Sequence, residues 1–184
     1  MNPFEKEAYD KKYLESLEYK KDYHDIMYYP IWKYVMDNLK TTDKILDLGC
    51  GPSHLGDMLS DNNFIEYVGI DFSSVAISMA KKKSTYTFIV SDLNNISYGK
   101  YDDYVIVCTE TFEHIEDDIK LIKKLPKNKI LFSVPNFLSK NHYRTYNSEN
   151  HIRAYYDGVI EIEIIKEFKT SKKKSIFVVI GKIE

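Results

Sequence analysis

The segment ILDLGCG (residues 45–51) sets Asp47 inside a short apolar run and ends that run on Gly49 and Gly51 around Cys50. Glycine lets a backbone turn with positive φ, and its missing Cβ lets a ligand lie against the main chain. A helix that follows such a turn offers free N–H groups at its start. Asp71 closes the run EYVGID, 24 residues beyond Asp47. That is close to the spacing at which an acidic residue receives ribose hydroxyls beyond a glycine turn. The loop here reads G-C-G-P-S-H rather than G-x-G-x-x-G, so the third glycine and its room for a pyrophosphate are missing. Such a turn suits a nucleoside that carries no diphosphate. Taken singly, Asp47 has an ordinary reading as a cap, Asp71 and Asp92 as loop-starting residues, and the glycines as turns. As a set at strand ends they point to a ligand.

Two further stretches carry titratable groups. ETFEHIEDD (110–118) supplies Glu110, Glu113 and His114, and NSENHIRAYY (147–156) supplies His151 and Arg153. Carboxylates and imidazoles near strand ends can move a proton, so Glu113, His114 and His151 are the candidates for orienting an acceptor or deprotonating it. Arg144 and Arg153 are candidates for holding a carboxylate or phosphate. His24, His54 and His142 add little, and His54 is expected as a solvated histidine at a helix start. Of the 16 tyrosines, most are read as packing residues, with only a minority touching a bound molecule.

These residues must be positioned by alternating elements. Residues 5–20 read as helical, Pro30 interrupts, and IWKYVMDNL (31–39) resumes with an apolar face. KILDL (44–48) is strand-like. A helix over 53–61, capped by Ser53, precedes a strand at 66–71, and a helix over 73–83, capped by Ser73, precedes a strand at 85–93. A fourth strand ends near Thr109. A helix over 114–125 carries Ile115, Ile119, Ile122 and Leu125 on one side, and a fifth strand at 128–135 stops at Pro135. Alternating strands and helices indicate a parallel, doubly wound sheet. IEIEIIKEF (160–168) and SIFVVIGKI (175–183) alternate like an antiparallel hairpin. Asp157-Gly158 is a turn signal, and HIRAYYDGVIEIEI passes almost directly into strand pattern, leaving little room for a further helix after the H-x-R segment. The fold class expected is therefore α/β: a Rossmann-like, doubly wound, mostly parallel seven-stranded sheet with a C-terminal antiparallel hairpin.

The totals bound the rest. At 184 residues one domain is the simplest organisation. Its parts are an N-terminal helical lid (1–40), a cofactor-binding core (41–134), a substrate loop (135–158) and the terminal hairpin (159–184). With 26 basic and 28 acidic residues, no global positive field recruits nucleic acid. No apolar run approaches the roughly 20 residues of a bilayer span, and the N-terminus lacks a signal-peptide apolar stretch. Cys50 and Cys108 do not make a secreted disulfide framework, so a cytoplasmic protein with reduced thiols is expected.

The series ILDLGCGPSHLGDML, VGIDFS, FIVSDLNN, YDDYVIVCTETFEHI and ILFSVPN resembles the successive motifs of class I S-adenosylmethionine-dependent methyltransferases, over roughly residues 40–140. The resemblance implies S-adenosyl-L-methionine as cofactor. It implies that Asp47, Gly49, Cys50 and Gly51 line its methionine part and that Asp71 accepts from the ribose hydroxyls, with Phe72 beside the adenine. Asp92 and Leu93 would contact the adenine, and Thr109 and Glu110 would face the methionyl side and the transferable methyl. The implied activity is methyl transfer to a small polar metabolite, with no resident metal. In most relatives the H-x-R segment leads into a further helix, so its expected absence here leaves one sheet face to be covered by the N-terminal helices or by a second subunit as a homodimer. Two alternatives stand beside this. The E-x-x-E-H set with a distant His is similar to the metal site of small-RNA terminal 2′-O-methyltransferases, which would make Glu110, Glu113, His114 and His151 ligands and RNA the partner. The other alternative is a non-catalytic cofactor-binding partner subunit.

Overall fold

The computed structural model describes residues 3–184, so Met1 and Asn2 of the expected N-terminal segment lie outside it. Seven strands are ordered β3-β2-β1-β4-β5-β7-β6 in one mixed sheet with helices, the expected Rossmann-like class with its terminal antiparallel hairpin. Two compact units divide the chain after Ile96.

The first unit contains α1 (Pro3–Glu15), two short 3-10 turns (Leu17–Lys20 and Tyr23–Asp25), α2 (Tyr29–Asp37), β1 (Lys44–Leu48), α3 (His54–Asp61), β2 (Glu66–Asp71), α4 (Ser74–Lys83) and β3 (Thr87–Val90). Its strands are parallel, with Asp47 opposite Gly69 and Asp71 opposite Val90. Ile45, Leu46, Leu48 and Ile70 are fully buried, as a strand covered on both faces requires. Pro30 lies in the first turn of α2, where its missing N–H breaks no helical bond, so it starts the helix rather than interrupting it. Ser73 caps α4 as expected, its hydroxyl accepting from the Ala76 N–H at 3.0 Å. Ser53 does not cap α3: it has φ 66 and no side-chain cap bond. Its hydroxyl lies instead 3.5 Å from the Tyr67 hydroxyl. The left-handed turn at Ser53 aims its side chain back toward β2, and that tertiary contact replaces the local one.

The second unit contains β4 (Tyr104–Thr109), a 3-10 turn (Phe112–His114), α5 (Asp118–Ile122), β5 (Lys129–Pro135), α6 (Glu149–Tyr155), β6 (Ile160–Lys169) and β7 (Ser175–Ile183). The helix expected over 114–125 is much shorter, because Asp117 accepts from the Lys120 N–H at 3.0 Å and so starts a new helix behind the 3-10 turn. Leu121, Ile122 and Leu125 form its buried side, together with Asp118. The H-x-R segment itself lies in a short helix, α6, and as expected no further helix stands between it and β6 among the described residues. Ser148 caps α6 by accepting from the His151 N–H at 3.2 Å, and the helix ends before the Asp157-Gly158 turn. β7 is buried between β5 and β6, whereas β6 exposes Glu161, Glu163 and Glu167 along the sheet edge, a charged edge that resists further strand pairing.

Asp118, fully buried, ties α5 to α6. Tyr155 and Tyr156 donate to its two carboxylate oxygens at 2.8 and 2.9 Å, and Arg144 Nη1 lies 3.1 Å away. Tyr156 donates to Asp118, so the 2.8 Å bond between the Tyr146 and Tyr156 hydroxyls has Tyr146 as donor. Removing the acceptor leaves the part-buried Arg144 guanidinium, the part-buried Tyr155 hydroxyl and the buried Tyr156 hydroxyl without it. Asp118→Ala should therefore cost roughly 3 kcal/mol of unfolding free energy, seen as a lower urea midpoint. An unchanged midpoint would contradict this account of the α5–α6 junction.

Candidate functional site

In the first unit the carboxyl ends of β1, β2 and β3 gather Asp47, the 49–51 loop, Asp71, Phe72, Asp92 and Leu93. Gly49 (φ 77) and Gly51 (φ 53) both adopt left-handed backbone, which L side chains resist by about 1 kcal/mol or more. The turn they permit lets the N–H groups of Gly49 and Cys50 both reach the Ile70 carbonyl, at 2.8 and 3.0 Å. Asp71 accepts from the Gly51 N–H at 2.9 Å through one oxygen and from the Ser73 N–H at 2.8 Å through the other. Burial pushes its carboxyl up to about 6, although both backbone donors favour the carboxylate. The Ser91 N–H donates to the Asp71 carbonyl at 2.9 Å, which sets the chain that follows β3 beside β2. There Asp92 caps a 3-10 turn (Leu93–Asn95) by accepting from the Asn94 N–H, and Leu93 is buried.

Asp47 is 2% exposed. Tyr67 donates to one of its oxygens at 2.6 Å, and the other has no hydrogen-bond partner. Burial raises this carboxyl to about 7, with Asp71 adding to the rise. The Cys50 thiol is pushed well up by burial and by the charges of Asp71 and Asp47, so it is no nucleophile. Helix α1 reaches over the loop. Tyr9 meets Phe72 edge-on with ring centres 5.3 Å apart, the Ser73 hydroxyl donates to Asp10, and the Tyr13 hydroxyl lies 3.3 Å from where a Cβ on Gly51 would stand. Nothing in the spacing of α1 signals Tyr13 as a neighbour of Gly51; only the tertiary packing of α1 on α4 shows it. His54, expected to be solvated, is 4% exposed. It stacks on Trp32 with ring centres 5.6 Å apart, and burial lowers its pKa to about 4.

In the second unit, Thr109 ends β4 and Glu110 follows it with φ 51, strained backbone for a side chain of that size. Ser133 of β5 holds it there, accepting from the Glu110 N–H at 2.9 Å and donating to its carboxylate at 2.8 Å. Glu113 is fully buried, and neither of its carboxylate oxygens has a hydrogen-bond partner. Burial, reinforced by the Glu110 charge, raises its pKa well above the ordinary value. His114 stands next to it. His151 is not in this group: it is exposed on α6, its Nδ1 accepting from the Asn147 N–H at 3.3 Å. His142, set aside on sequence grounds, is the histidine that joins Glu113 and His114. Arg144 is not available to an anionic acceptor, because it donates to the carbonyls of Phe112 (3.0 Å), Ile115 (2.7 Å) and Glu116. Arg153 likewise donates to the Ile162 carbonyl at 2.9 Å.

A family profile described as a methyltransferase domain matches residues 45–127. Phosphoethanolamine N-methyltransferase 3 of Arabidopsis thaliana is 35% identical over 98 residues, which are 50% of this chain and 20% of that protein. The chain thus spans about a fifth of the length of that curated relative. Over residues 45–127 the chain is similar to methyltransferase domains.

Solved structures share the fold of this chain. The magnesium protoporphyrin IX methyltransferase of Synechocystis PCC 6803 with bound SAM aligns over 97% of both chains with TM-score 0.69 at 16% identity. A TehB-like SAM-dependent methyltransferase of Corynebacterium glutamicum aligns over 100% of both chains with TM-score 0.67 at 18% identity. At these identities the likeness is one of fold.

The orphaned oxygen of Asp47 gives the protein a measurable pH signature. A buried carboxyl whose folded pKa of about 7 exceeds its unfolded value contributes stability below about pH 4, and that contribution is lost as pH rises through 7. Asp47→Asn cannot ionise and still accepts from Tyr67. Its melting curve should match the parent near pH 4 and move above it toward pH 8, by roughly 3 kcal/mol in unfolding free energy. Parallel pH profiles would contradict a neutralised Asp47.

Proposed function

We propose that this chain transfers a methyl group from S-adenosyl-L-methionine to a small polar metabolite in the cytoplasm. The observation that carries the reading is the Asp71 carboxylate, buried at the end of β2 and tied by its two oxygens to the loops after β1 and β2. Each oxygen keeps a lone pair for a ribose hydroxyl after accepting its backbone donor. Asp47, with one oxygen unpartnered, offers a carboxylate to the cationic methionyl end, and ligand binding would favour its ionised form. Gly49, Cys50 and Gly51 supply a surface without bulky side chains, and Phe72, Asp92 and Leu93 are assigned to the adenine. Helix α1, through Tyr9 and Tyr13, is the part of the first unit that would close over the bound molecule. Thr109 and Glu110 are assigned to the methionyl and methyl side.

The sulfonium methyl is already activated, so the protein chiefly has to align donor and acceptor. Glu113, His114 and His151 are assigned to the acceptor. Burial and the Glu110 charge raise the Glu113 carboxyl well above its ordinary value, and His114 suits proton removal. A cytoplasmic setting is supported by Cys50 and Cys108, neither of which is in a disulfide among the described residues. Among the described residues no helix is long and apolar enough to cross a membrane.

Calorimetry tests the reading. S-adenosylmethionine and its demethylated product should each bind once, and Asp71→Ala should weaken both by at least about 10-fold, the loss of one or more charge-assisted hydrogen bonds. An acceptor screen read by release of the demethylated product should identify a low-molecular-weight acceptor. No binding of either nucleoside would overturn the proposal, and binding without turnover across the panel would leave a cofactor-binding subunit.

A further inference from the structure

We propose that Glu113, His114 and His142 form a binding site for one divalent transition-metal ion of the zinc class. One ligand atom from each of the three lies within 4.8 Å of the others. Around a tetrahedral ion with bonds of about 2.1 Å, neighbouring ligand atoms stand about 3.4 Å apart, so the group is somewhat wider than an occupied site.

Three independent features prepare these residues as ligands. First, Glu113 is fully buried and neither of its oxygens receives a hydrogen bond; a cation is the partner that an orphaned buried carboxylate lacks. Second, both imidazoles are fixed in the same tautomer. His114 Nδ1 lies 3.0 Å from the Asn141 carbonyl and His142 Nδ1 lies 3.2 Å from the Phe137 carbonyl. A carbonyl oxygen only accepts, so each Nδ1 carries the proton and each Nε2 carries the lone pair. Backbone carbonyls that take the far N–H of a metal-binding histidine orient the ring in this way. Third, the backbone ties the two halves of the site. Tyr143 N–H donates to the Glu113 carbonyl at 2.8 Å, and Asn141, in left-handed backbone at φ 71, turns His142 toward the Phe112–His114 turn. The two histidine rings meet edge to face with centres 4.6 Å apart.

The donor set decides the ion. One carboxylate with two imidazoles favours zinc, cobalt, nickel or iron over magnesium and calcium, which take oxygen donors. Three protein ligands leave a fourth position for water or an oxygen of a bound molecule. The site does not rest on the methyl-transfer reading, because it needs only residues of the second unit and no nucleoside.

The test uses the full chain, stripped of metal and free of nucleoside, titrated with Zn²⁺ against a chromogenic chelator. One equivalent should bind, and His114→Ala and His142→Ala should each weaken it by at least about 10-fold, while His151→Ala leaves it unchanged. Co²⁺ should show tetrahedral-type visible absorption that His142→Ala abolishes, a signature that a merely structural histidine would not give. Mg²⁺ should not compete. Glu113→Gln should weaken binding similarly; if burial of the amide prevents folding, the two histidine variants, both on half-buried positions, carry the test. Absence of saturable Zn²⁺ binding, binding that survives His142→Ala, or binding lost in His151→Ala would overturn the proposal.

Discussion

The bridge made by the Asp71 carboxylate is the contact from which the rest of the first unit is organised. One oxygen holds the Gly51 N–H and the other the Ser73 N–H, so the loop after β1 and the start of α4 are fixed to the same side chain. Ser73 then holds both the first turn of α4 and Asp10 of α1. Through that second contact α1 is laid over the glycine loop, with Tyr13 against Gly51. A neutral side chain at position 71 would keep one of these bonds at best. The cradle is therefore a consequence of placing a carboxylate, rather than an amide or hydroxyl, at the end of β2.

Buried carboxyls recur wherever the fold has something left to bind. Asp47 keeps one oxygen without a partner, and Glu113 keeps two. Burial raises all three of these acids, Asp71 included, above their ordinary values. Asp47 and Glu113 are thus sites where folding alone gives an incomplete solution, and where a cationic or hydrogen-bonding ligand would complete it. Asp118 shows the contrast: equally buried, it is satisfied by Tyr155, Tyr156 and Arg144 and serves structure.

Period and punctuation made much of this visible before any coordinates. KILDL and EYVGID read as buried strands because their apolar residues are continuous, and the hairpin read as antiparallel because β6 alternates. Ser73 was legible as a cap because its partner lies three residues on. What stayed hidden depends on contacts distant in sequence. Ser53 looks like a cap, but its hydroxyl turns toward Tyr67. The HIRAYY segment looks like a lead into strand, but Ser148 caps a helix there that Asp118 anchors through two tyrosines. His151 and Arg144 looked equally chemical; the structure spends Arg144 on carbonyls of the Phe112–Glu116 turn and leaves His151 exposed. His142, the residue that joins Glu113, sits in a loop whose course no local pattern specifies. The residues proposed for the cofactor were legible because they stand at strand ends, and those proposed for the acceptor were less so because loops carry them.

The direct measurement is a crystal structure of the protein soaked with S-adenosylmethionine. The account predicts the ribose hydroxyls within hydrogen-bonding distance of the Asp71 carboxylate and the methionyl chain against the backbone of Gly49 to Gly51. Density for the nucleoside at any other place on the first unit, with the Asp71 oxygens still bound only to Gly51 and Ser73, would contradict it.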